Sequence, residues 1–167
     1  NIIKLAKQKN IPIVVTNISK LVKSEKDKNV HIALQISNFR YSNIEDIEEN
    51  KSDLNIILLV YKVKDPRNLG AILRTASAFD IKGIILTSRD SCPVNDTVIH
   101  TSRNAKILIA RINNALKTIE ELKQKGYNPI CLDSQGKIEL PKIKEINSKI
   151  LLILGGETGI DNKIKQM

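Results

Sequence analysis

The chain contains no tryptophan, and aromatic residues make up 3% of its 167 positions. A surface that stacks successive nucleobases needs aromatic faces, so a platform of the single-strand-binding type is not expected. Cysteine is nearly as scarce. Cys92 and Cys131 stand far apart, with no CxxC spacing and no neighbouring histidine pair. That pattern supports neither a disulfide framework nor a metal site, and we expect reduced bystanders and no metal. No apolar run approaches the roughly 18 residues that a membrane-spanning helix needs. The opening "NIIKLAKQKN" lacks the uninterrupted apolar stretch of a secretory signal. A soluble, cytoplasmic protein is expected. Phosphate-loop sequences are missing too: no glycine-rich run ends in Gly-Lys-Ser/Thr, and no G-x-G-x-x-G occurs.

What is present is a core-forming composition, 41% apolar, with 27 Lys and Arg against 18 Asp and Glu for a net charge of +9. Such a balance raises the local concentration of a polyanion and speeds encounter with it. The lysines are scattered along the chain and are not gathered into a block. Charge alone therefore leaves nucleic acid as one candidate partner among others.

The periodicity divides the chain. Residues 1 to about 40 read as helix ("NIIKLAKQKN"), strand ("IPIVVT"), helix ("ISKLVKSEKDK") and strand ("HIALQIS"), a small α/β piece resembling half a domain. Residues 41–53, "YSNIEDIEENKSD" within them, are acidic and poor in large apolar side chains, as in a linker or a loosely packed helix. From Leu54 onward, apolar runs alternate with amphipathic helical patterns. Strands apolar throughout, alternating with helices, indicate an α/β fold with a parallel sheet covered on both faces. Ile112, just ahead of the pattern "NNALKTIEELKQKG", makes one apolar stripe with Leu116, Ile119 and Leu122, and Gly126 closes the pattern as the helix stop. Ligands of such sheets bind at the carboxyl ends of the strands, so the loops after Val63, Leu86 and Leu154 are where chemistry is expected.

Two of those loops carry distinctive residues. "KDPRNLGAILRTASAFD" reads as a helix from about Leu69, with Leu69, Ile72, Leu73, Ala76 and Phe79 on one apolar arc and Arg74 nearly opposite. Arg74 shares a stripe with Gly70 and Ser77. Helical side chains lean toward the N-terminus, so Arg74 is expected to extend over bare Gly70 toward Asn68 and the unpaired N–H groups. A cation, an amide and a positive dipole end around one small space suit a phosphate or a ribose edge. The plain alternative is Asn68 as N-cap, Gly70 for close packing and Arg74 as a solvated residue. Geometry alone leaves both open. In "ILLILGGETGID" a buried strand runs into Gly155 and Gly156, where a chain or flat ligand can approach the backbone, and then Glu157. A strand-to-helix turn that tolerates glycine explains it equally.

Taken together and in this order, "DPRNLGAILRTASAF" and "LILGGETGI" resemble the first two motifs of the TrmH (SpoU) family of RNA ribose 2′-O-methyltransferases, in the SPOUT superfamily. The pattern is most similar to the bacterial group that methylates a guanosine of 23S rRNA. "HIALQISNFRYSNIEDI" looks like the end of that group's N-terminal RNA-binding domain and its linker, and "DSCPVNDTVIHTSRNA" fills the place of another family segment. The resemblance implies residues 1–40 as part of an RNA substrate-binding domain, 41–53 as linker and 54–167 as a SpoU-type methyltransferase domain. It implies S-adenosylmethionine as cofactor, RNA as partner, a homodimer, and a C-terminal trefoil knot. By the same resemblance Arg74, Asn68 and Glu157 are catalytic. Gly155, Leu154, Gly156 and Thr87 meet the methyl donor, and Arg67 and Ser102 meet the substrate. Arg74 is either a base whose pKa the site depresses or a group that positions and stabilises the developing alkoxide.

Departures from the family pattern are equally specific. Its third motif, Ser-Leu-Asn-Val and the helix that follows, would lie beyond Met167, so a fragment of a longer protein or a decayed gene product is expected, with the knot incomplete. "GGETGID" is about one residue short of the usual turn, and two residues are missing after His31. Asp80 stands where a glycine is expected, and Arg103 and Asn104 where small residues are usual. The alternatives to the rRNA enzyme are a tRNA 2′-O-methyltransferase and a catalytically inactive RNA-binding remnant.

Overall fold

The computed structural model describes residues 2–17, 32, 39–136 and 149–167, and the chain divides into two compact units, Asn1–Asn38 and Phe39–Met167. The first unit contributes helix α1 (Ile2–Gln8), none of whose residues is buried. The strand expected over 11–16 does not form: residues 11–17 have no regular secondary structure, with Val14 81% and Val15 95% exposed. A strand needs a neighbour to take up its N–H and C=O groups, and among the described residues no strand pairs with this stretch; Ile11 N instead donates to Ala6 O at the end of α1, and Pro12 removes one donor outright. The helix expected over 18–28 and the strand over 31–37 lie outside the described residues, apart from Ile32.

The second unit is built on five strands: β1 (Leu54–Tyr61), β2 (Ile81–Thr87), β3 (Ile109–Ile112), β4 (Asn128–Leu132) and β5 (Ile150–Gly155). They form one sheet in the order β3-β2-β1-β5-β4, every neighbouring pair parallel. This is the α/β fold with a parallel sheet that the apolar runs imply. Successive side chains go to opposite faces, and both faces are apolar. Ile57, Leu59, Leu151 and Ile153 enter one core cluster, while Leu58, Val60, Ile84 and Leu86 enter the other.

Helices α2 (Ile44–Glu49), α5 (Ala115–Gln124) and α6 (Asn162–Lys165) supply the first cluster through Ile47, Ile119, Leu122 and Ile164. Residues 41–53, read from sequence as a linker or a loosely packed helix, contain a helix that belongs to the second unit, and it is well packed, with Ile47 fully buried. On α5 the buried face is Ala115, Thr118, Ile119 and Leu122. The stripe expected there needs correction: Ile112 lies in β3, and Leu116 is 37% exposed. The helix begins only after Asn114, whose side chain accepts from Lys117 N, so Leu116 turns away from the sheet. Gly126 follows the C-cap Lys125 with φ of +87°, the left-handed stop its position predicts.

Helices α3 (Pro66–Ala78) and α4 (Asp96–Thr101) cover the second face. α3 starts three residues before the expected Leu69. Asp65 is the N-cap, accepting from Arg67 N at 2.7 Å, and Pro66 follows with the φ a first helical residue needs. Asn68 is therefore inside the first turn and is not the cap. Leu69, Leu73 and Ala76 are buried as expected, whereas Phe79 is 65% exposed. The helix ends before Phe79, which lies at an apolar groove of about 560 Å³ also lined by Leu58, Ile72, Leu132, Leu152 and Leu154.

Candidate functional site at the carboxyl ends of β1 and β5

β1 and β5 are neighbours, with Val60 opposite Leu154 and Tyr61 opposite Gly155, so the loops that follow them leave the sheet side by side. They do so where the strand order reverses, the usual ligand crevice of such sheets. Gly156 N donates to Tyr61 O at 2.7 Å, and Gly159 N donates back to Gly156 O at 2.9 Å. With Gly159 at φ +73°, these bonds close a tight turn over Gly156, Glu157, Thr158 and Gly159.

The turn aims Glu157 at the start of α3. Its Oε2 accepts from Lys64 N at 3.2 Å, and its Oε1 accepts from Asn68 Nδ2 at 3.4 Å. Its carboxyl pKa lies below the ordinary value. The main cause is its own backbone N–H, then that of Lys64; desolvation opposes them, and Asp65 N–H and the Asn68 amide add still smaller lowering contributions. A cleft of about 410 Å³ opens here, with Asn68, Gly155, Gly156 and Glu157 on its polar side and Val63, Ala71 and Ile72 as an apolar wall.

Four of the residues predicted from sequence therefore meet in one cleft. The others are placed differently. Arg74 is exposed and makes no hydrogen bond or ion pair among the described residues. The bare backbone of Gly70 is not a ligand space, because α4 fills it: a Cβ there would lie 2.6 Å from Thr101 Cβ and 2.9 Å from Val98 O. Close packing is what Gly70 provides. Ser77, on the same stripe, donates to Lys106 O at 3.3 Å. Arg67 is exposed on the first turn of α3. Leu154 faces the apolar groove and not the cleft.

Thr87 lines a second cleft, of about 380 Å³, together with Tyr61, Lys62, Arg89, Asn113 and Asp161. Its Oγ1 accepts from Lys62 N at 3.1 Å and shares a 2.7 Å hydrogen bond with Ser91 Oγ. Ser102, expected beside the substrate, is instead 4% exposed, caps the C-terminus of α4 and donates to Ile99 O at 2.9 Å. No cluster of potential metal ligands occurs among the described residues, and none of their helices is long and apolar enough to cross a membrane.

Sequence reasoning missed Tyr61, Lys62 and Asp161. Tyr61 OH donates to Asp161 Oδ2 at 2.5 Å, and Lys62 Nζ lies 3.1 and 2.9 Å from the two carboxylate oxygens. The one local signal, Asp161 ahead of a short helix, reads as an ordinary N-cap.

Residues 55–167 match the SpoU rRNA Methylase family. The chain belongs to that family. Over 98% of its length the SpoU-family chain is 36% identical to an uncharacterized tRNA/rRNA methyltransferase of Borreliella burgdorferi, of which it covers 77%. Over 99% of its length it is 28% identical to a Bacillus subtilis protein named for the TrmH family of tRNA/rRNA methyltransferases, of which it covers 68%. An AdoMet-bound rRNA methyltransferase from Sinorhizobium meliloti superposes with a TM-score of 0.66 at 25% identity, covering 76% of this chain and 49% of that one. The chain thus spans about half the length of this solved relative.

Proposed function

We propose that the protein methylates a ribose 2′-hydroxyl of RNA with S-adenosylmethionine as donor, and that its target is a guanosine of 23S rRNA. The observation that carries this reading is the Asn68–Glu157 contact, which brings the two motif stretches together across 89 residues of sequence. The cleft fits the donor in part. The Cβ directions of Gly155 and Gly156 are filled by Gly159, Ile160 and Lys62, so close packing and not an open backbone explains these glycines; their main chain still lines the cleft beside the wall of Val63, Ala71 and Ile72, which suits a flat, largely apolar group. Thr87 and Leu154 face elsewhere, so we assign donor binding to the two glycines and this wall.

When bound, the donor would supply an electrophilic methyl carbon on its sulfonium, which the ribose oxygen would attack in line as the C–S bond breaks and the neutral thioether leaves. Asn68, its amide nitrogen engaged by Glu157, keeps Oδ1 as an acceptor for the substrate. Arg74 lies outside this cleft, and by the family resemblance alone we assign it to steady negative charge on the ribose oxygen, since a guanidinium donates hydrogen bonds and does not give up its proton. The hydroxyl proton then passes to solvent. Arg67, exposed on the same turn as Asn68, meets the RNA backbone, and the net charge of +9 favours that polyanion. We assign the working form as a homodimer.

The test combines calorimetric titration of S-adenosylmethionine with transfer of labelled methyl groups to bacterial 23S rRNA and to tRNA, followed by digestion to nucleosides. 2′-O-methylguanosine from 23S rRNA is expected, and Arg74→Ala is expected to abolish it while leaving the circular dichroism spectrum unchanged. Label on tRNA alone would move the substrate assignment. Label on a base, or near-normal turnover by the Arg74 variant, would overturn the mechanism. RNA binding without donor binding would mark a catalytically inactive RNA-binding protein.

A further inference from the structure

We infer that Asp161 is a positioning residue, clasping the loop after β5 to Tyr61 and Lys62 at the end of β1 and so fixing where Glu157 stands in the cleft. The inference rests on the reading of that cleft as the reaction site.

Asp161 occupies the N-cap position of α6, where a carboxylate ordinarily accepts from a free N–H of the first turn. Here it makes no such bond. The carboxylate turns back to Tyr61 OH and Lys62 Nζ, residues 100 and 99 positions away. A local contact is thus replaced by a tertiary one, and both of its partners are themselves held. The Tyr61 ring is part of the core at 7% exposure, so its hydroxyl is a fixed point. Lys62 adopts φ of +56°, a conformation disfavoured for a side chain with a Cβ, and its N–H is tied to Thr87 Oγ1.

The loop is anchored at its other end to the same two residues. Gly156 N donates to Tyr61 O, and the Gly156 backbone lies against the Lys62 carbonyl. Glu157 lies between the two anchors, Gly156 through its backbone and Asp161 through its side chain. A span pinned twice to one strand end has few ways to aim its carboxylate. The Lys62–Asp161 pair is partly solvated, with side chains 23% and 53% exposed. Its contribution is accordingly to geometry more than to global stability.

The test reads Glu157 directly, by carbon-detected titration of its carboxyl together with exchange of the Gly156 and Lys64 amides. The set is wild type, Asp161→Ala, Asp161→Asn and Tyr61→Phe, with exposed Glu120→Gln as control. In the wild type Glu157 titrates below the ordinary 4.5. Asp161→Ala should move it up toward that value and speed exchange of the two amides roughly tenfold, while sheet amides keep their protection. Asp161→Asn, which retains an acceptor for Tyr61 OH, should fall between, and Tyr61→Phe should repeat the change without altering residue 161.

An unmoved Glu157 in a folded Asp161→Ala protein would overturn the clasp, as would faster exchange spread evenly over the sheet. None of these readouts needs donor or RNA. Loss of the proposed reaction would leave the clasp standing, and an unmoved Glu157 would remove the clasp without touching the reaction.

Discussion

The Lys62 carbonyl and the backbone of Gly156 approach so closely that a Cβ on residue 156 would lie 2.1 Å from the oxygen. No side-chain rotation relieves a collision with backbone, so Gly156→Ala must displace either the β1 end or the Glu157 turn. A loss of about 1–3 kcal/mol is expected from such overpacking, read as a lower urea midpoint. Gly159→Ala is the control. Nothing lies within 4 Å of a Cβ there, and only its φ of +73° opposes the change. That variant should lose about 1 kcal/mol through strain alone and keep the Gly156 amide bonded to Tyr61.

Gly70→Ala sets two known effects against each other. Alanine is favoured over glycine inside a helix by about 1 kcal/mol. Against that stand Thr101 Cβ at 2.6 Å and Val98 O at 2.9 Å. The collision should win, and thermal unfolding should show net destabilisation. Adding Thr101→Gly should recover part of the loss and no more, because the Val98 carbonyl remains in place.

These contacts mark the limit of what the sequence disclosed. The parallel sheet was legible because β1, β2 and β5 are apolar on both faces, a pattern that only a sheet covered on both sides explains. That Asn68 and Glu157 serve one site was implied by the family resemblance; periodicity placed their loops at carboxyl ends of strands, and the structure shows those strands to be neighbours. Which side of α3 meets α4 was not legible. A stripe of Gly70, Arg74 and Ser77 looks the same whether solvent or a helix covers it, and α4 decided it by filling the space over Gly70. Ser102 misled for a related reason, since a hydroxyl near a site motif carries no sign of its burial. The bonding of Tyr61, Lys62 and Asp161 depends on a side chain turning away from its own helix, which no local pattern encodes.

Asp80, Arg103 and Asn104, the departures noted in the sequence, have φ of 47°, 55° and 57°. All three occupy left-handed backbone where glycine is unstrained. Asp and Asn tolerate this region better than Arg, which has no short polar side chain to bond locally. Arg103→Gly should therefore stabilise the protein by about 1 kcal/mol, and Asp80→Gly by less. Asp80 Oδ2 also accepts from Asp53 N at 3.4 Å, a weak contact that glycine would lose. Lys62→Gly is the contrasting case: it removes the strain of φ +56° but also the ammonium bound to Asp161, so its net effect should be smaller than that of Arg103→Gly.

Acid should weaken the fold through three carboxylates whose pKa values are lowered in the folded state. Asp161 is lowered first by Tyr61 OH and then by Lys62, Asp133 first by Lys165 and then by Gln135 N–H, and Glu157 by the backbone donors around it. A group with a depressed folded pKa contributes stability above its unfolded value and loses it as pH falls through the folded one. The ordinary values are 3.8 for the aspartates and 4.5 for the glutamate. The urea midpoint should thus be flat above about pH 5 and decline steadily as pH falls toward about 2. Asp133→Asn and Asp161→Asn should each be slightly less stable at neutral pH and show a shallower acid limb. Glu157 and Asp161 are exposed and Asp133 is half-buried, so the differences should be small and should shrink further in about 1 M salt. An acid limb equally steep in the two asparagine variants would assign the loss to other groups.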